Sequence, residues 1–381
     1  MSAAVQWREG ARSPAVRPAG AVGALGDGRA GLGPLAPLLA DPAVTDVLVN
    51  GPAEIWVERD GRLERVPLRF PSARVLAAVV QRVVAPLGLR IDEARPWVDA
   101  RLAGGERFHA VLPPLAPDGP IVTIRTFSRR RLGLADLVER GTIDATTARL
   151  LQAMVGAGVA TLVSGSTGSG KTTLLNILGS AIPPTERVVT VEDAAELRLA
   201  GVHVVRLEVR PPNVEGRGEV ALRELVRNAL RMRPDRIVVG EVRGPEALDL
   251  LQAANTGHRG LLTTLHAGGP DEVPARLEAM ALAAPGAVLE VVRRLIAGGI
   301  EAVVHLERGP FGRRVTALAE LAPGDDGRVR SHLVRSAHGE HGLSATGHLP
   351  RWAERISPPM PELFAAWDGD RPLRIVPTVR R

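Results

Sequence analysis

Gly165-Ser166-Thr167-Gly168-Ser169-Gly170-Lys171-Thr172 fits the pattern G-x-x-x-x-G-K-[ST] and follows an apolar run over residues 159–163. These types in this order suit a phosphate-binding loop. The glycines let successive backbone N–H groups turn toward a polyphosphate, and Lys171 offers a compact cation to the outer phosphates. Thr172, followed by Thr173, begins a helix with a hydroxyl available to Mg²⁺. The chain carries 48 lysines and arginines, and Lys171 is the single lysine among them. Arginine does not replace it easily, because a wide planar fork does not fit where a small ammonium must sit.

Parallel sheets bind ligands at the carboxyl ends of their strands, so polar residues that close apolar strands are the next candidates. Residues 187–191 end in Glu192-Asp193, residues 237–239 in Gly240-Glu241-Val242-Arg243, and residues 261–265 in His266. Asp193-Ala194-Ala195-Glu196 reads as a capping box that would start a short helix, which makes Asp193 a cap. Glu192 has no such role and is assigned to the attacking water. Glu241 is assigned to the Mg²⁺ shell, partly through water, and to water positioning. His266 is placed to sense a γ-phosphate by hydrogen bonding; the plainer alternative is a histidine satisfied within the sheet.

The elements that must position these groups alternate. Helix is expected over residues 144–157, 171–181, 219–232 and 245–255, with strands at 187–191, 236–239 and 260–264 between them, a pattern that means a largely parallel α/β sheet. Before it, short strands at residues 46–50, 54–58, 63–70, 97–102, 107–112 and 121–127 surround an amphipathic helix at 71–87, which reads as a smaller α+β domain. The expected organisation is a flexible Ala/Gly/Pro/Arg-rich leader (1–34), an α+β domain (35–127), a linker with the exposed triplet Arg129-Arg130-Arg131 (128–143), the nucleotide domain (144–323) and a weakly patterned extension (324–381). The extension holds His332, His338, His341 and His348 at spacings that match no regular metal site.

At 381 residues and 45% apolar content the chain can bury more than one core, and with no cysteine it has neither disulfides nor thiolate metal sites. Between residues 150 and 185 the one formal charge is Lys171, yet Gln152, the glycines and the loop interrupt any membrane span. No apolar run near the start reads as a signal peptide. The net charge of +6 is modest, and there are 3% aromatics and no tyrosine. Stacking platforms for single strands are therefore scarce, and no nucleic-acid partner is expected.

Several separated stretches, VNGPAEIWVERDG (49–61), VVTVEDAAEL (188–197), RPPNVEGRGEV (210–220) and ALRMRPDRIVVGEVRGPEALDLLQAANTGHRGLLTTLHA (229–267), together resemble the type II/IV secretion ATPase superfamily. The nearest resemblance is to the CpaF-type ATPases of tight-adherence (Flp) pilus assembly. It runs over residues 38–321. What it implies is a RecA-like P-loop domain behind the α+β domain, ATP and Mg²⁺ as cofactors, and a homo-hexameric ring at the inner face of the cell membrane. Inner-membrane platform proteins of a pilus or secretion system would then be its partners, with membrane association through them. It matches residues 191–193 to an Asp box, 237–241 to Walker B and 260–267 to a His box. It also places the N-terminal domain over the nucleotide. Alternation turns Arg107 and Arg125 onto the polar faces of their strands, so either arginine could neutralise charge developing on the γ-phosphate; a surface salt bridge is the alternative. The reading is a cytoplasmic ATP-hydrolysing motor. Its rivals are a nucleic-acid translocase and a nucleotide-gated scaffold without turnover.

Overall fold

The structure is a computed structural model that describes residues 30–59, 61–126, 132–201, 203–212, 216–309, 312–337, 342–365 and 376–377. The arginine triplet, His338, His341 and residues 1–29 lie outside the described residues. The chain divides into two compact units, 1–127 and 128–381.

The first unit begins with α1 (Ala36–Ala40), then strands β1 (Val44–Asn50), β2 (Ile55–Arg59) and β3 (Arg62–Val66), helix α2 (Ala73–Val84), and strands β4 (Trp97–Arg101), β5 (Arg107–Val111) and β6 (Ile121–Arg125). The strands form one antiparallel sheet in the order β3-β2-β1-β6-β5-β4. Alternation gives that sheet one apolar face. Val47, Val49, Ile55, Val57, Phe108, Ala110, Val122 and Ile124 point inward, and Leu76, Val79, Val80 and Val84 of α2 close the core over them. Ser72 accepts a hydrogen bond from Val75 N at 3.3 Å and so caps α2. Leu32 and Leu35 are buried in the same core. Ordered packing thus reaches into residues 30–34, which composition alone assigned to a flexible leader.

The second unit opens with α3 (Leu134–Glu139), a helical turn inside the stretch read as a linker, followed by α4 (Ala145–Gly156). Asp144 caps α4, accepting from Thr147 N at 2.7 Å and from Thr147 Oγ1 at 2.5 Å. The remaining elements are β7 (Thr161–Gly165), α5 (Lys171–Ser180), β8 (Val188–Glu192), β9 (Val204–Glu208), α6 (Leu222–Ala229), β10 (Arg236–Val239), α7 (Glu246–Asn255), β11 (Leu262–His266), α8 (Glu272–Leu282), α9 (Leu289–Gly299), β12 (Ala302–Gly309), β13 (Gly312–Pro323), β14 (Val329–Ala337) and β15 (Leu343–Ala345). They build a nine-stranded sheet in the order β15-β14-β13-β12-β7-β11-β10-β8-β9, parallel from β12 to β9 and antiparallel through β13, β14 and β15.

The parallel strands are apolar on both faces, as a sheet between two helix layers requires. Val163, Val188, Val238, Leu262, Val304 and Leu306 pack with α4 and α5. Leu162, Val189, Val191, Ile237, Val239, Leu265 and Val303 pack with α6, α7, α8 and α9.

Residues 324–345 differ from their weak sequence pattern: β14 and β15 extend the sheet. Glu320, fully buried on β13, fastens the chain that follows. It accepts from Arg351 N at 2.8 Å and Arg351 Nε at 2.9 Å and bonds His348 Nε2 at 2.8 Å. The ring of His332 stacks on that of His348 at 5.5 Å, so these two histidines serve packing. Among the described residues no group of histidines and carboxylates is arranged to hold a metal ion. Nor is any described helix long and apolar enough to cross a membrane.

Candidate nucleotide site

The phosphate loop joins the end of β7 to the start of α5. Gly165 has φ +152°, and a methyl group there would lie 2.3 Å from Leu306 O, so no other residue fits. Gly170, at φ +99°, turns the chain into α5 in the left-handed region. Ser166, Thr167, Gly168 and Thr173 are exposed, Thr172 is half-buried, and Ser169 is buried with its Oγ lacking a hydrogen-bond partner. Lys171 is 7% exposed and donates to Gly165 O at 3.0 Å and Ser166 O at 2.9 Å. Its pKa is lowered chiefly by burial, with the carboxylate of Glu241 opposing the shift. The ammonium therefore closes the loop on itself while waiting for a better anionic partner.

Strand order carries the other groups to this loop. From β7 outward the sheet runs β11, β10, β8, so His266, Glu241 and Glu192 follow one another at adjacent carboxyl ends, with His266 in register with Gly165. Lys171 Nζ lies 3.3 Å from His266 Nδ1. An ammonium has no lone pair, so Nδ1 is the acceptor and the neutral ring carries its proton on Nε2. That nitrogen lies 2.9 Å from Glu241 Oε1, a close polar contact and not an aligned hydrogen bond. The His266 pKa is lowered by burial first and by Lys171 second, which keeps the ring neutral near pH 7. The other oxygen of Glu241 accepts from Arg243 Nη2 at 2.5 Å, and Arg243 Nη1 reaches Asp193 Oδ2 at 3.8 Å. A continuous polar chain thus runs from the loop lysine to the end of β8. For Mg²⁺, the Thr172 hydroxyl and the Glu241 carboxylate are oxygen groups of the hard kind the ion takes.

Asp193 differs from its sequence reading as a helix cap, and Glu192 has a structural role that the sequence reading did not give it. Residues 193–200 form no helix. Glu192, not Asp193, holds the backbone there: its Oε1 accepts from Glu196 N at 2.9 Å and Leu197 N at 2.8 Å. The capping box fails because the carboxylate one residue earlier turns inward and takes those donors. Glu192 is 2% exposed, and its Oε2 is buried without a hydrogen-bond partner. Burial pushes its pKa up to about 7, against the two backbone hydrogen bonds that lower it. One oxygen is anchored and the other is buried and unpaired, on a group poised to take a proton near neutrality.

Arg107 and Arg125 belong to the first unit. They are register partners on β5 and β6, flanked by Arg101 on β4 and Asp46 on β1. Arg125 Nε donates to Asp46 Oδ1 at 3.0 Å, the salt bridge named as the alternative, and Arg101, Arg107 and Arg125 stand in one register row.

Three groups escaped the sequence reading. Arg243 stands in the quoted strand-end stretch, but nothing there tells that it ties Glu241 toward Asp193. Ser164 Oγ meets His305 Nδ1 at 2.9 Å beneath the loop, a contact between residues 141 apart. Arg308 and Arg313 are brought to the loop by the β12–β13 hairpin.

Residues 29–310 match the family model described as "Type II/IV secretion system protein". A putative conjugal transfer protein of Mycobacterium tuberculosis is 45% identical over 320 residues, 82% of this chain and 90% of that protein. The type IV secretion system protein PtlH of Bordetella pertussis is 39% identical over 305 residues, 72% of this chain and 88% of its own. The X-ray structure of the Legionella pneumophila ATPase DotB aligns with a TM-score of 0.53 at 24% identity, over 77% of this chain and 81% of that one, a likeness of fold. The sheet order, the loop and these relatives agree on a RecA-like P-loop domain preceded by a smaller α+β domain, and the chain belongs to the type II/IV secretion system protein family.

Proposed function

We propose that the chain is an ATP-hydrolysing motor that works at the cytoplasmic face of the inner membrane. The observation that carries this is the meeting of Lys171, His266, Glu241 and Glu192 at neighbouring strand ends. In this reading the loop amides and Lys171 hold the β- and γ-phosphates, and Thr172 and Glu241 hold Mg²⁺, which would neutralise charge as the γ-phosphoryl group departs. Glu192 receives a proton from the attacking water through Oε2, and His266 reports the γ-phosphate to Glu241. When phosphate draws Lys171 away from Gly165 O and Ser166 O, His266 loses its donor, so occupancy is felt along the chain to Arg243 and Asp193.

Names of relatives support the wider role. One is called a conjugal transfer protein and another a type IV secretion system protein. We take the partner to be an inner-membrane platform of a secretion or pilus system and the assembly to be a homo-hexamer. The tight-adherence pilus branch is the cargo class suggested by the quoted motifs. Arg107 and Arg125 are assigned to the γ-phosphate of an assembled ring. Phosphate release by the purified chain with Mg·ATP, beside a Lys171→Ala control, tests the core of the reading. Release no greater than that control would leave a nucleotide-gated scaffold. Stimulation by single-stranded DNA that falls steeply with salt would favour a translocase.

A further inference from the structure

The phosphate loop has two flanks, and the groups just described occupy one of them. β11 lies on that side of β7; β12 lies on the other. The β12 flank ends in a hairpin whose two arms carry Arg308 and Arg313 as direct cross-strand partners. Both are exposed, and both lie against the loop. A methyl group at Gly168 would be 3.4 Å from Arg308 Nη1, and one at Gly170 would be 3.3 Å from Arg313 Cδ and 3.9 Å from Leu306 Cδ2. Leu306 packs with Leu174 and Leu175 of α5, so this face of the hairpin continues over the start of that helix.

The adjacent register pair brings opposite charges together, Glu307 facing Arg314, whereas at 308 and 313 two arginines face each other. Two arginines in register beside the loop glycines and a helix N-terminus form a field that suits an anion. In the ATP-site reading Lys171, His266 and an Mg²⁺ held by Glu241 would face the terminal phosphates on the β11 flank. Gly170, which Arg313 touches, is where the loop enters α5, away from that chemistry.

Building on the ATP-site reading above, we infer that Arg308 and Arg313 form a clamp for the α-phosphate and ribose end of the bound nucleotide, a contact common to ATP and ADP. Arg313 lies beyond residue 310, where the family match stops. Such a clamp would hold ADP after hydrolysis and so set the rate of its release.

The test is binding of Mg·ADP and of a magnesium complex of a non-hydrolysable ATP analogue to the full chain, comparing wild type with Arg308→Gln, Arg313→Gln and the double variant. The double variant should lose about 10-fold or more in affinity for both nucleotides alike, the scale of losing hydrogen bonds to a charged group. Its thermal midpoint without nucleotide should stay the same, because both side chains are exposed. Unchanged affinity for both nucleotides would overturn the clamp. Loss confined to the triphosphate would overturn it too, by moving the arginines to the γ-phosphate. A lower midpoint without nucleotide, with the nucleotide-induced shift intact, would make the pair structural. If wild type itself binds neither nucleotide, it is the ATP-site reading that fails; if wild type binds and Lys171→Ala does not, the clamp alone is being judged.

Discussion

Lys171 and His266, 95 residues apart, meet at 3.3 Å across the β7–β11 step of the sheet, and through His266 the loop reaches Glu241. Lys171→Ala removes the cation from both partners and from the loop carbonyls. Nucleotide affinity should fall steeply and phosphate release should cease, since only amide dipoles and Mg²⁺ would oppose the phosphate charge. Turnover at the wild-type rate would reject the site.

His266→Ala should act differently. The loop and its lysine stay, so binding should persist, while the link between Lys171 and Glu241 is cut. A fall in kcat with KM within a few-fold of wild type is the expected split; a rise in KM alone would make His266 a binding group.

Glu192→Gln separates chemistry from stability. Loss of the carboxylate should slow hydrolysis at least about 100-fold, the scale of a positioned base. The same change should stabilise the fold in a pH-dependent manner. The wild-type carboxyl titrates at about 7 in the folded chain against 4.5 ordinarily, so the folded state keeps its proton longer than the unfolded one. Below pH 4.5 both states are protonated and the variant gains nothing. Between 4.5 and 7 the wild type loses stability as pH rises, and above 7 the gain of the variant levels off at about 3–4 kcal/mol. Glutamine still offers an oxygen to Glu196 N and Leu197 N. Thermal melts of both proteins at pH 4.5 and 8 check this, and an equal difference at the two values would contradict the buried-carboxylate account.

Asp193→Ala should be mild for the fold, within about 0.5 kcal/mol, because Asp193 caps no helix and its contact with Arg243 is long and exposed. A loss of 1 kcal/mol or more in denaturant unfolding would restore the capping reading.

Glu320→Ala probes the carboxyl-terminal region. It strips the buried partner from Arg351 and His348, and should cost roughly 1–3 kcal/mol, the scale of lost hydrogen bonds to a charged group, because the Arg351 side chain is 44% exposed and can turn to water. Calorimetry showing no destabilisation would mean that residues 346–355 are dispensable to the sheet.

Arg125→Ala and Arg107→Ala should leave folding and nucleotide binding intact and lower turnover. If each acts across a subunit boundary, mixing Arg125→Ala with Glu192→Gln chains should restore some activity, since mixed rings would contain sites with both groups. Full activity in both single variants would reduce the pair to surface charges.

The sequence by itself determined the candidate groups and the layers. A loop with Lys171 as the lone lysine, apolar strands ending in Glu192, Glu241 and His266, and alternating helix and strand periods are local facts that any fold must honour. β10 runs over Arg236–Val239 and α7 ends at Asn255, where those periods place them. Tertiary structure alone decided adjacency. Chain order is β7, β8, β10, β11, but sheet order is β7, β11, β10, β8, and this crossover puts His266 between Lys171 and Glu241. It also brought β12, some 140 residues on, against β7, placing Arg308 and Arg313 at the loop. Likewise, the choice between Glu192 and Asp193 for the backbone of residues 196–197 rested on which carboxylate faced inward from the end of β8. Propensity favours the capping box, but strand pleat and burial fix the direction of a side chain, and those come from packing against neighbours that no local pattern names.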